Sequence, residues 1–230
     1  GTFISTDLIL TAAHCIAKDK NGMSVNFRPS HFVKNQLIID IQITETYKLD
    51  FSSLSVNRND MGVIQFSGGL PRGAQIALLP KANQYTIPQS INFLAIGYGQ
   101  NSGIKSEDEM AFNGEGILRT KKLVSELIKP DQDYFRIDQF KNKGGVCFGD
   151  SGGPALIKNP LTKKNTIIGV ASAVLTERTG PGIDPNDDCQ NESMYLNMYY
   201  YAAHFSTFLK KALGARVNVW FINVLLNHDL

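Results

Sequence analysis

Apolar segments too short for helices, each closed by a cluster of turn-forming residues, are what most limits the fold of this chain. Phe3-Ile4 and Leu8-Ile9-Leu10 read as the two arms of a hairpin. Gln36 to Thr44, Met61 to Phe66, Ile91 to Ile96, Gly116 to Val124 and Thr166 to Leu175 read as further strands. SGGLPRG (67–73), GQNSGIKSEDE (99–109) and TGPGIDPND (179–187) break the chain between them. Many short strands with irregular polar connections build barrels or sandwiches. One helix stands out near the end, where Ala202, Phe205, Phe208, Leu209 and Leu213 recur at spacings of three and four. Lys210 and Lys211 lie in its last turns and Gly214 supplies a stop signal.

A chain of 230 residues can bury the core of one large domain or two small ones. Its formal net charge of +2 is too small to imply a nucleic-acid surface and no basic stripe stands out, so no nucleic-acid partner is expected. No apolar run reaches the length of a membrane span, so stable membrane insertion is not expected. The three cysteines, Cys15, Cys147 and Cys189, are an odd count: one pair plus a thiol that is free or lacks its partner.

The stretch GVCFGDSGGPALI, Gly145 to Ile157, crowds glycines and a proline around Asp150 and Ser151. Glycine loses more entropy on ordering than any other residue, so such density points to unusual backbone geometry or close approach. It is either a turn between strands or a loop whose amides and hydroxyl do chemistry. Acyl transfer at a peptide bond needs a nucleophile, a base, a group that fixes the base, and donors for the oxyanion. In chain order the sequence offers His14 in LTAAHC, Asp60 in NRNDMGVIQF and Ser151 in GDSGGP. Alone, His14 would read as a satisfied structural residue and Asp60 as a turn former. Jointly, in this order, they read as a catalytic set.

With these motifs the chain resembles the chymotrypsin-like (trypsin-like, family S1) serine proteases from Gly1 to about Leu213. The resemblance implies an all-β fold of two antiparallel six-stranded β-barrels with a C-terminal helix and a site in the cleft between the barrels. Barrel 1 would take about 1–90, barrel 2 about 91–198 and the helix about 199–213, giving a peptidase domain over 1–214 without its N-terminal strand. Residues 215–230 form a tail without an assigned role.

By the same resemblance His14 is the general base, Asp60 holds its tautomer, and Ser151 is the nucleophile. The N–H groups of Gly149 and Ser151 form the oxyanion hole. In relatives the equivalent of Asp150 orders the loop by pairing with an amino terminus freed by zymogen cleavage. That terminus, and the cysteine that commonly pairs with Cys15, would precede Gly1, leaving Cys147 and Cys189 as the pair that braces the specificity pocket. A secreted protein, extracellular or periplasmic, is implied.

Gly145 falls at the pocket base, where trypsin-like enzymes carry an aspartate. Ser172, Ala173 and Val174 in GVASAV match the segment that pairs with substrate as an added strand, and Ser193 falls on the other wall. A small or medium apolar residue before the scissile bond is expected. Expected partners are protein or peptide substrates and protein protease inhibitors, bound by a monomer that needs no cofactor and no metal. Two other classes remain open: a non-proteolytic relative serving as a binding or regulatory module, and a protein whose tail docks to a partner or a membrane surface.

Lesser signals carry less. The acidic DPNDDCQNE (184–192) lacks EF-hand spacing and reads as a solvated loop, and Asn191-Glu192-Ser193 is a glycosylation sequon. Gly97-Tyr98-Gly99 lacks the dinucleotide fingerprint and resembles the stretch that opens the family's second barrel. His31, His204 and His228 show no ligand spacing.

Overall fold

In the computed structural model the described residues are 1–27, 39–50, 59–80, 90–104, 116–126, 128–129, 131–159, 163–175, 182, 184 and 186–213. The strand start at 36–38, much of the insertion after Leu175, Gly214, the 215–230 tail, His31 and His228 lie outside them.

The first sheet begins with the expected hairpin. Strand β1 (Thr2–Phe3) pairs with β2 (Leu8–Ala12) through Thr2↔Leu10 and Phe3↔Ile9. Its turn is a serine–aspartate turn: Ser5 Oγ donates to Asp7 Oδ1 at 2.7 Å and accepts from Asp7 N at 3.2 Å. Strands β3 (Val25–Phe27), β4 (Ile39–Leu49) and β5 (Met61–Ser67) complete an antiparallel sheet ordered β1-β2-β5-β4-β3. The second sheet contains β6 (Asn92–Gly97), β7 (Arg119–Val124), β8 (Tyr134–Asp138), β9 (Pro154–Lys158), β10 (Asn165–Leu175) and β11 (Glu192–Asn197). It is ordered β7-β6-β9-β10-β11-β8, again antiparallel throughout. The fold is thus the expected pair of curled antiparallel sheets with a C-terminal helix, with five strands in the first sheet among the described residues.

Helix α1 (Met198–Leu213) follows β11 without a gap. Tyr201, Phe205 and Leu209, four residues apart, are fully buried on one face, and Lys210 and Lys211 stand in the last turn. That stripe seals the seam between the sheets, in one core cluster with Leu10, Met61 and Val63 of the first and Leu156, Ile167 and Leu196 of the second. Each sheet also has its own interior: Ile9, Ile41, Ile64 and Phe66 in the first, Phe93, Phe135, Ile168 and Tyr195 in the second. The connecting segment bonds to both, Ala77 N donating to Phe3 O at 2.9 Å and Leu78 N to Asn165 O at 2.8 Å. Among the described residues no helix is long and apolar enough to cross a membrane.

Candidate active site

Register alone brings Asp60 to His14. The β2–β5 ladder ends at Ala12↔Met61, so the residues just beyond this pair must lie side by side. There the chain turns tightly through Ala13–Cys15, held by Ala13 N donating to Asp60 O at 2.8 Å and His14 N donating to Asp60 Oδ1 at 2.9 Å. The His14 ring then faces the same carboxylate, with Nδ1 at 3.0 Å from Oδ1 and 2.9 Å from Oδ2. A carboxylate only accepts, so Nδ1 carries the proton and a neutral ring leaves Nε2 bare as an acceptor. The His14 side chain is 48% exposed and that of Asp60 16%, a ring open to solvent over a carboxylate that is mostly covered.

A third strand completes the arrangement. In the β10–β11 ladder Ala171 faces Tyr195 and Ala173 faces Met194, which leaves Ser172 as the extra residue of a bulge. Bulges re-aim side chains, and here Ser172 Oγ donates to Asp60 Oδ2 at 2.6 Å. Sequence reasoning placed Ser172 among the substrate contacts and missed this bond, since no composition signal marks a bulge. Asp60 thus accepts from the His14 amide, the His14 ring and the Ser172 hydroxyl.

Ser151 sits on a loop whose turns are set by Gly149 at φ +89 and Gly152 at φ +78, conformations that disfavour any side chain. Gly152 N donates to Ala171 O at 2.7 Å and Ala171 N to Gly153 O at 2.8 Å, tying the loop to the strand that carries Ser172. The N–H groups of Gly149 and Ser151 have no acceptor among the described residues. Amides without an internal acceptor beside a hydroxyl are the kind of donor that an oxyanion needs. Cys15 Sγ lies 3.5 Å from Ser151 O, so the loop abuts the turn that carries His14. No hydrogen bond joins Ser151 Oγ to His14 among the described residues, and such contacts commonly tighten only with substrate bound.

Asp150 is held by amides. Its Oδ1 accepts from Gly99 N and its Oδ2 from Cys147 N, both at 2.8 Å. Burial raises its carboxyl above the ordinary range, while these two bonds and the Arg119 charge oppose the rise. The carboxylate fits only because Gly97 and Gly99 have no side chains: a Cβ on either would lie 2.6 Å from Asp150 Cγ. Among the described residues its hydrogen-bond donors are these two loop amides.

Cys147 and Cys189 form a disulfide, and among the described residues Cys15 has no disulfide partner. Val174 and Ser193 are direct register partners on neighbouring strands, and Ser193 is fully buried, its Oγ without a hydrogen-bond partner among the described residues. Gly145 is half-buried beside Val146, which is buried. Asp187 overturns the solvated-loop reading. It is 7% exposed and accepts from Gly103 N at 2.6 Å, Cys189 N at 3.0 Å, Ser102 Oγ at 3.1 Å and Gln190 Nε2 at 3.2 Å. The sequon fares similarly, because Asn191 is 3% exposed within the same packing. Among the described residues no group of His, Cys, Asp or Glu side chains is placed to hold a metal ion.

A family model described as Trypsin matches residues 1–185. The chain belongs to the trypsin family. Relatives include trypsin theta of Drosophila erecta, 24% identical over 181 residues, which are 75% of this chain and 64% of that protein. Chymotrypsin of Phaedon cochleariae is 26% identical over 163 residues, 69% of this chain and 59% of that protein. Trypsin theta of Drosophila melanogaster is 25% identical over 181 residues, with 75% and 64% covered. The chain thus spans about three-fifths of the length of these relatives. The two sheets, with His14 and Asp60 on the first and Ser151 on the second, are the trypsin-family architecture in this sequence.

The thiol beside His14 gives a first expected result. Burial pushes the Cys15 thiol above its ordinary range. Less of it is thiolate at neutral pH than in an ordinary cysteine, and the thiolate is what reacts. Iodoacetamide should therefore modify Cys15 more slowly than free glutathione at pH 7, with a rate that keeps climbing above pH 9. Peptide mapping should find Cys147 and Cys189 unmodified until the protein is reduced. A Cys15 rate at pH 7 equal to or above that of glutathione would contradict this account of the site.

Proposed function

We propose that this chain carries the site of a serine endopeptidase. Ser151 attacks the substrate carbonyl while His14 Nε2 takes its proton and later returns it to the leaving amine. Asp60 fixes the ring and stabilises the imidazolium, and the amides of Gly149 and Ser151 receive the oxyanion. The observation that carries this reading is the anchoring of Asp60, whose carboxylate binds the His14 ring at 2.9 Å and the Ser172 hydroxyl at 2.6 Å. A turn-forming aspartate has no need of a ring partner and a third strand. Asp150, by bonding Gly99 and Cys147, orders the loop. The Cys147–Cys189 disulfide supports an oxidising, secretory location. On this reading the peptidase unit covers 1–214, and proteins or peptides are its substrates, with protein inhibitors as competitors.

Gly145 supplies no charge at the pocket base, so Lys or Arg before the cut would be buried unpaired, which is costly. Val174 narrows the opening, and overpacking a rigid slot costs about 1–3 kcal/mol. Ala173 and the paired strand of Ser193 form the adjoining wall. A library of quenched peptides varied at the residue before the scissile bond tests this. Val and Ala should lead, with Leu behind, and Val174→Gly should improve cleavage after Phe and Tyr, on the order of 10-fold or more. A wild-type preference for Lys or Arg would overturn the pocket assignment.

A further inference from the structure

A carboxamide occupies the room that a side chain at position 145 would need. Gln139 follows β8 and has no exposed surface. Its Oε1 accepts from Val146 N at 2.5 Å and its Nε2 donates to Cys189 O at 2.9 Å. Its backbone repeats the bridge, N donating to Asn191 O at 3.0 Å and O accepting from Gly144 N at 2.8 Å. One buried residue therefore ties 144–146, the stretch leading to the nucleophile loop, to 189–191. The Cys147–Cys189 disulfide crosses the same gap, and Asp187 binds the amide of Cys189 from the other side. A Cβ added at Gly145 would overlap Gln139 Oε1 and stand 2.5 Å from Cδ. Gln139 cannot easily turn away, because both ends of its carboxamide are bonded and no solvent reaches it.

We infer that Gln139 is a positioning residue for substrate specificity: it clamps the two stretches that frame the pocket and excludes any side chain, above all a charged one, at position 145. This rests on the protease reading just given and deepens it. The pocket is uncharged because two residues compete for one space and Gln139 holds it. Positions 139 and 145 should then be coupled, so that an anionic anchor at 145 works only when 139 is small.

The experiment compares the wild-type chain with Gly145→Asp, Gln139→Ala and the double variant, using thermal melts and the varied peptide library. Gly145→Asp alone should lower Tm by about 5 °C or more and give little cleavage after Lys or Arg. The double variant should recover part of that loss, making the two changes non-additive. It should raise kcat/KM on Lys and Arg peptides by about 10²-fold over Gly145→Asp. Gln139→Ala alone should raise KM for the preferred peptides and change the Val-to-Leu ratio, while the rate of labelling by a small fluorophosphonate stays within about threefold, since that reagent needs no side-chain pocket. Additive melts would overturn the inference. So would full cleavage after basic residues by Gly145→Asp alone, or a Gln139→Ala variant with an unchanged peptide profile. If a variant does not fold, the smaller pair Gly145→Ala and Gln139→Asn poses the same steric question. Should no protein of the set, wild type included, cleave any peptide, the protease reading fails and the additivity of the melts decides the clamp alone.

Discussion

Ser151→Ala is expected to lower turnover of the best peptide by about 10⁴-fold or more while moving Tm little. The hydroxyl makes no hydrogen bond among the described residues, so removing it costs no structural bond. The loop keeps its course through Gly149, Gly152 and the bonds to Ala171. His14→Ala should cost a similar factor, and the double variant should be hardly worse than either single one. On the proposed reading base and nucleophile act as one unit, so that losing either removes the whole effect. Asp60 should behave differently: its loss also strands the Ser172 hydroxyl and the His14 amide, so Asp60→Ala should lower Tm as well as turnover. The measurements are kcat on the quenched peptide and a thermal melt of each variant. Multiplicative losses in His14→Ala/Ser151→Ala would show that the two residues act separately.

The second large effect is expected from Gly152→Ala, a change that touches no reacting atom. Gly152 has φ +78, and a Cβ there would overlap Thr11 Oγ1 and lie 2.9 Å from Ala12 N. These neighbours end β2, the strand that delivers His14 to its turn. The missing side chain is what lets the Ser151 loop of the second sheet approach the His14-bearing end of the first. An alanine would cost about 1–2 kcal/mol in backbone strain, with overpacking costing about 1–3 kcal/mol in addition. Some of that strain should be relieved by moving Ser151 away from His14. Misplacing a reacting group by an ångström is worth about 10²-fold, so kcat should fall at least that far while KM changes little. Denaturant unfolding gives the stability term and peptide kinetics the rest. A Gly152→Ala protein with wild-type kcat would contradict the close approach inferred here.

The sequence and the structure agree where local chemistry dominates. β2, β5, β6 and β10 emerge from their apolar runs within two residues of their ends, and α1 from its three-and-four spacing. Strand β11 is not legible because buried positions in it are polar. In β11 Ser193 and Asn197 are fully buried, Asn197 because its amide satisfies Lys129 O at 2.9 Å and Gln132 O at 2.7 Å. Such a segment, ESMYLN, shows no clean alternation. β9 opens on Pro154, a residue that reads as a stop, although the first position of a strand tolerates it. β8 is a short YFRID whose alternation of buried Phe135, exposed Arg136 and buried Ile137 is too brief to stand out.

The site divides in the same way. The motifs around His14, Asp60 and Ser151 are contiguous in sequence and therefore legible. What anchors them is contributed from far away: Ser172 lies 112 residues beyond Asp60, Gly99 lies 51 before Asp150, and Gln139 lies 50 before Cys189. These contacts depend on a bulge, a glycine pair and a strand register, none of which has a one-dimensional signature. The acidic 184–192 stretch was misread for the complementary reason, since its composition suggests solvent while Asp187 turns inward to serve four donors.

The most direct test of the central claim, that Ser151 is a nucleophile activated by His14 and Asp60, is covalent capture. The chain is treated with a fluorophosphonate, digested, and searched by mass spectrometry for the adduct. The account predicts one stoichiometric label on Ser151 and loss of the label in both Ser151→Ala and His14→Ala. A label on another residue, or one that persists unchanged in Ser151→Ala, would contradict it.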